Sequence, residues 1–185
     1  MVNDVYSEVK EKMQKAVEAT RKDFSTLRTG RASTALLDNV KVDYYGTPTP
    51  LKQAGSVTIP DATTISIQPW EPHMLPAIEK AIVAANLGVT PSNDGQMIRI
   101  SIPPLTEDRR KELTRQVKKF AEDGRIAVRN IRRFGNDSVK ALEKDKLITE
   151  DEAKRAQEEV QKITDGFVKT IDEMAEAKEK ELMTV

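Results

Sequence analysis

Cysteine is absent from this 185-residue chain. That excludes disulfides, thiolate metal sites and a cysteine nucleophile. Histidine occurs once, as His73 in Glu71-Pro-His, and reads as a surface-loop residue rather than a general base. No apolar run approaches the roughly 20 residues that a membrane span needs. Net charge is also missing, with 30 basic and 30 acidic side chains. Global charge therefore argues neither for nor against nucleic acid. Several enzyme signatures are missing too. There is no G-x-x-x-x-G-K-[ST] phosphate loop, no H-E-x-x-H and no G-x-S-x-G elbow. The expectation is a chain without catalytic groups, cofactor or metal. The first residues, MVNDVYSEVKEKM, lack a signal-peptide core and the acid-poor character of a transit peptide. A soluble, cytoplasmic protein is expected.

Proline is missing from both flanks: all nine prolines lie between Pro48 and Pro104. Proline removes a backbone donor and clashes with the preceding helical turn. Residues 1–30 and 105–185 therefore read as long helices, and 31–104 as a strand-and-turn module inserted between them. The first helix is expected from Asn3 to Arg28, on the stripe Val2, Val5, Val9, Met13, Ala16, Thr20, Phe24 and Leu27. Gly30 follows as its stop. A second long helix starts after Pro103 and Pro104, with Thr106 as N-cap. Its seam is Leu113, Val117, Phe120, Val128, Ile131, Val139 and Leu142. Gly124 and Gly135 lie on or beside that seam, for close helix approach or for bending. A third helix starts at the capping box Thr149-Glu-Asp-Glu152. Its stripe is Ala153, Ala156, Val160, Ile163, Phe167, Ile171, Met174 and Leu182. None of these helices hides its stripe alone, so the flanks imply an elongated antiparallel three-helix bundle.

The insert alternates at Val40–Tyr44, is broken by Gly46-Thr-Pro-Thr-Pro50, and has short β-rich runs at Val57–Ile59 and Ile65–Ile67. Pro76–Asn86 reads as a helix on Ile78, Ile82 and Ala85, closed by Gly88. Ile98–Ile102 alternates again. The fold class expected is α+β. Tyr44, Tyr45 and Trp70 can pack in the core or stack on bases; core packing is the expectation.

Charge is segregated along the chain. Residues 109–133 hold ten basic and three acidic side chains, whereas 143–185 hold eight basic and thirteen acidic ones. Arg125, Arg129, Arg132 and Arg133 occupy one helical arc beside and opposite the apolar seam, taking Ile131 as reference. Arg110 stands near the other end. An arginine fork binds phosphate bidentately and stacks on bases. The row is thus either an RNA-contacting face or a solvated face neutralised by acids of the third helix. Arg28 and Arg31 flank Gly30 at a helix end, where the helix dipole alone also favours cations.

Taken in order, the pieces closely resemble the bacterial ribosome-recycling factor family. The likeness rests on Arg28-Thr-Gly-Arg-Ala32, Asp43-Tyr-Tyr-Gly-Thr-Pro-Thr-Pro-Leu51, Glu79-Lys-Ala-Ile82, Pro103-Pro-Leu-Thr-Glu107 with Arg109-Arg-Lys111, and Val128-Arg-Asn-Ile-Arg-Arg133. Asp145-Lys146 and Lys178-Glu-Lys-Glu-Leu-Met183 also fit. Phe134-Gly135 departs from the polar-then-small pair expected there. The resemblance implies an L-shaped molecule, with a bundle arm and a β/α/β insert on a two-strand hinge. Gly30 on one strand and Pro103 and Pro104 on the other suit that hinge. It also implies a monomer that binds the 70S ribosome and large-subunit RNA. With elongation factor G and GTP hydrolysis it splits the ribosome into subunits. By the same resemblance Arg129 and Arg132 carry the RNA contact, with Arg28, Arg31, Arg110 and Arg133 as further contacts. Two other classes fit the residues alone. One is a helical adaptor that binds protein through its acidic third helix. The other is an enzyme with carboxylate chemistry in the insert.

Overall fold

The computed structural model describes residues 1–184 and divides the chain into two compact units. One unit holds Met1–Arg28 and Glu107–Thr184; the other starts at Thr29 and ends at Thr106. Val185, the last residue expected in the bundle, lies outside the described residues.

The first unit is three long helices: α1 (Val2–Ser25), α4 (Glu107–Lys144) and α5 (Glu150–Met183). At 1.5 Å per residue α4 is about 57 Å long. Its buried line is Leu113, Val117, Ala121, Gly124, Val128, Gly135 and Val139. Phe120, Ile131 and Leu142 of the expected seam are only half-buried at its margins. The two glycines therefore belong to the centre of the seam. A β-carbon on Gly124 would lie 2.5 Å from Thr20 Oγ1 and 3.2 Å from Ile171 Cδ1. One on Gly135 would lie 2.7 Å from Val9 Cγ2 and 3.3 Å from Val160 Cγ1. Close approach, not bending, explains both residues.

These contacts also give the helix directions. From Gly124 to Gly135 the partners run from Thr20 back to Val9 and from Ile171 back to Val160. Thus α4 is antiparallel to both neighbours, while α1 and α5 run parallel to each other. The buried hydroxyls remain satisfied: Thr20 Oγ1 donates to Ala16 O at 3.0 Å and Thr164 Oγ1 to Val160 O at 2.7 Å. On α1, Val17 is buried and Ala16 is half-buried. The helix ends at Ser25, five residues before Gly30. Ser25 Oγ donates to Lys22 O and Thr26 Oγ1 to Asp23 O, so hydroxyls cover carbonyls at the helix end. At the start of α5, the Thr149 hydroxyl accepts from Glu152 N–H while Glu152 accepts from Thr149 N–H at 2.7 Å, a complete capping box.

The second unit has two antiparallel sheets. Strands β1 (Lys41–Tyr44) and β2 (Thr47–Pro50) form a hairpin. Strands β3 (Gly55–Asp61), β4 (Thr64–Pro69), β5 (Pro91–Asn93) and β6 (Ile98–Ser101) form a sheet in the order β3-β4-β6-β5. Two short helices, α2 (Leu51–Ala54) and α3 (Leu75–Ala84), complete the unit. The segment expected to break after Tyr44 is thus a strand. Tyr45 and Gly46 have φ of 50° and 85°, which is the two-residue turn that closes a tight hairpin. Tyr44 pairs with Thr47 and Val42 with Thr49, so Pro48 and Pro50 take the alternate positions. A lone hairpin partner leaves one edge open, and there a missing N–H costs no ladder bond.

Alternation in β4 and β6 buries Ile65 and Ile67 across from Ile100 and Ile98. Leu75, Ile78 and Ile82 of α3 join the same core. Ala85, expected in that core, is exposed. The helix itself ends at Ala84, short of the expected Asn86, and Asn86, with φ of 49°, has already entered the left-handed region before Gly88 is reached. The unit's ends are tied to the β3–β4 turn by Ala32 N–H to Ala62 O and Ile102 N–H to Thr63 O, both at 2.7 Å.

Candidate nucleic-acid interface

The arginine row has to be placed against the true seam. Measured from Val128 at about 100° per residue, Arg132 and Arg125 stand about 40° and 60° away. Arg129, Glu122 and Arg133 stand about 100°, 120° and 140° away. The row is therefore two rows. Arg129 and Arg133 are exposed on the outer face, whereas Arg125 and Arg132 are half-buried on the flank toward α5. Taking Ile131, a margin residue, as reference merges them. Arg110 is eighteen residues before Val128, five whole turns, so it faces the seam side and is half-buried. The fold does not bring Arg110 into either row. Arg28 is exposed at the end of the first unit's opening segment, and Arg31 is exposed in the second unit.

The flank arginines are held by α5. Arg125 Nε is 3.3 Å from Asp172 Oδ1. Arg132 Nη1 donates to Gln161 Oε1 at 3.1 Å, and Gln161 Nε2 donates in turn to Asp165 Oδ1 at 2.8 Å. On the outer face, Arg129 Nη1 donates to Glu122 Oε1 at 3.1 Å, and Glu122 Oε2 lies 3.6 Å from Arg125 Nη1. Within the row Arg125, Arg129, Arg132 and Arg133, ion pairing to acids of the last helix is thus confined, among the described residues, to Arg125. Arg129 takes its acid from its own helix and Arg132 a neutral amide. The Arg129–Glu122 pair is exposed, and such pairs are worth about 0–1 kcal/mol, so it leaves the Arg129 fork available to a phosphate. The sequence pattern places Glu122 beside Arg125, three residues on, but does not reveal it as the partner of Arg129, nor Gln161 and Asp172 as partners at all. Glu122 sits seven residues from Arg129, outside the usual three-or-four spacing; the other two depend on helix docking.

Phe134-Gly135 does not interrupt α4. Gly135 packs on Val9, and the Phe134 ring carries Lys12 Nζ 3.7 Å from its centroid, a cation–π contact worth about 0.5–1 kcal/mol when exposed.

The second unit carries an aromatic cluster. Tyr45 and Trp70 are 71% and 66% exposed, against the expectation of core packing. Tyr45 sits in the hairpin turn, and the adjacent Tyr44 takes the half-buried place against the core. Glu71 accepts from Tyr44 Oη at 2.7 Å and Tyr45 Oη at 2.8 Å. The Tyr44 bond and then the Tyr45 bond hold the Glu71 carboxyl below its ordinary range, and both phenols are pushed up by the same bonds. His73 is exposed, with Nε2 3.1 Å from Tyr45 Oη. Among the described residues no group of three or more His, Asp or Glu can hold a metal ion, and no helix is long and apolar enough to cross a membrane.

Fold and site define a two-unit α+β protein whose three-helix bundle presents arginines on one long helix. A model of the ribosome recycling factor family matches residues 20–183. A ribosome-recycling factor of Synechococcus sp. (strain JA-2-3B'a(2-13)) is 56% identical over 179 residues, 97% of this chain and 98% of its own length. One from Oleidesulfovibrio alaskensis is 55% identical over 184 residues, with 100% of both chains covered. A solution structure of the ribosome recycling factor matches with TM-score 0.76 and 44% identity, covering 100% of this chain and 98% of its own. The Thermus thermophilus factor, in a structure with the Escherichia coli elongation factor G bound to the E. coli post-termination complex, matches with TM-score 0.66 and 49% identity over 98% of each chain. This chain belongs to the ribosome recycling factor family.

Proposed function

We propose that this protein binds the post-termination 70S ribosome and, together with elongation factor G and GTP hydrolysis, splits it into subunits, freeing mRNA and tRNA. The observation that carries the reading is full-length family membership combined with an arginine-bearing helix face whose acidic neighbours are few and exposed. The related factor seen with elongation factor G on a post-termination complex supports the partner assignment. In this reading the bundle, 1–30 and 105–185, is the RNA-binding arm, and 31–104 is the inserted unit. Arg129, Arg132 and Arg133 contact large-subunit RNA, with Arg28, Arg31 and Arg110 as outlying contacts. Gly30, which has φ of 78°, and Pro103 and Pro104 set the two connections as a hinge. The protein acts as a cytoplasmic monomer without catalysis of its own; elongation factor G supplies the hydrolysis.

Sedimentation of purified post-termination ribosomes tests this. With the protein, elongation factor G and GTP, the 70S peak should convert to subunits. Omission of any one component should leave it in place. A 70S peak that persists with all three present would refute the proposal.

A further inference from the structure

Arg129 does not point straight outward in the free protein. It is bonded to Glu122, seven residues earlier and about 10.5 Å away along the helix axis. Residues three or four apart meet easily. A pair seven apart meets only when the later side chain reaches back along the surface, which the N-terminal tilt of helical side chains favours. The guanidinium therefore lies along α4. The second oxygen of the same carboxylate faces Arg125, which is clamped to Asp172 of α5 and only 23% exposed, against 46% for Arg129. One acid sits between an anchored arginine and a movable one.

We propose that Glu122 is a resident stand-in for an RNA phosphate, occupying the Arg129 fork until RNA displaces it. This rests on the RNA-binding reading of the arginine row. On binding, Arg129 swings out to a phosphate oxygen, while Glu122 keeps Arg125 as its counter-ion. The exchange trades one ion pair for another and never strands a charge. A phosphodiester chain wins the exchange because it brings several charges and releases condensed counter-ions. Glu122 is in this sense a positioning residue: it acts on the ligand through Arg129. The other two arginines lack such a competitor, since Arg132 has a neutral partner, Gln161, and Arg133 has no ion pair among the described residues.

The test is the affinity of the full chain for purified large ribosomal subunits, measured for wild type, Glu122→Gln, Glu122→Asp, Arg129→Ala and the double variant Glu122→Gln/Arg129→Ala. Losing an exposed competitor should tighten Glu122→Gln binding about two- to five-fold. Glu122→Asp keeps the charge but shortens the reach by one methylene, so it should also bind more tightly than wild type. In the Arg129→Ala background the Glu122→Gln gain should vanish. A gain that persists undiminished there would mean general charge repulsion and overturn the exchange. Equal or weaker binding by Glu122→Gln, alongside a normal loss in Arg129→Ala, would overturn this proposal alone. Unchanged affinity in Arg129→Ala would overturn the RNA reading beneath it. Melting curves of each variant should stay near wild type, because both side chains are exposed.

Discussion

Replacing Arg132 by alanine separates a binding residue from a structural one. In the folded chain its guanidinium makes one side-chain hydrogen bond, 3.1 Å to Gln161 Oε1, and no ion pair among the described residues. Gln161 is exposed, so water can replace the lost donor and no buried acceptor is orphaned. The stability cost is then that of one modest hydrogen bond and some stem packing, about 0.5–1 kcal/mol. For a chain of this size that lowers Tm by about 1–4 °C. A bidentate or charge-assisted RNA contact is worth far more, about 1–3 kcal/mol. Binding should therefore weaken about 5- to 150-fold. A phosphate contact should also lower the salt slope of binding by about 1. Lysine at 132 should restore only part of the affinity, since it keeps the charge and loses the planar fork. The assay is ribosome affinity across a salt series for wild type, Arg132→Ala and Arg132→Lys, with thermal melting beside it. Unchanged affinity in the alanine variant would make the flank a solvated face. A fall in Tm much beyond the range above would make Arg132 part of the bundle's framework and refute the contact.

Further outcomes concern the helix glycines, the cap of α5 and the insert. Gly166→Ala on α5, where a β-carbon meets nothing within 4 Å, should stabilise by about 1 kcal/mol through helix propensity. Gly135→Ala, crowded by Val9, should be about 1–3 kcal/mol worse than that reference, and equal melting of the two would disprove the close approach. Thr149→Ala should cost about 1 kcal/mol by removing the cap of α5. The Glu152 carboxyl is held below its ordinary range by the Thr149 N–H and then the Thr149 hydroxyl. A depressed folded pKa means its stabilisation is full above the unfolded value and is lost as pH falls through the folded one. The melting difference between wild type and Glu152→Gln should therefore shrink on acidification below the ordinary glutamate range; a constant difference would refute the titrating cap. A chain with 31–104 replaced by a short linker should still melt cooperatively as a helical bundle and bind large subunits without splitting ribosomes. A non-cooperative melt would count against the bundle's independence.

The amino-acid sequence determined what depends on neighbours along the chain. Apolar spacing of three and four marked the long helices, because a helix exposes the same face every 3.6 residues. The proline confinement marked the insert. Thr149 and Glu152 are three residues apart and find each other in any helix start. Alternation at Ile65–Ile67 and Ile98–Ile102 marked the sheet core. The arginines on the second long helix could be named from sequence too.

Tertiary structure decided what depends on distant partners. Gly124 and Gly135 have no side chain to signal burial, yet they centre the seam because Thr20, Val9, Ile171 and Val160 close over them. That shift of reference turned Arg125 and Arg132 toward α5 and left Arg129 and Arg133 outside. The Gln161 and Asp172 contacts arise from antiparallel docking across tens of residues, which no local period encodes. Thr47–Pro50 looked like a breaker because its prolines lack donors; the open edge of a hairpin removed that objection. Tyr45 and Trp70 have apolar rings suited to a core, but the turn at Tyr45 and the end of β4 before Trp70 leave them in solvent. Residue type states what burial would gain, and only the packed chain decides which residues have a surface to be buried against.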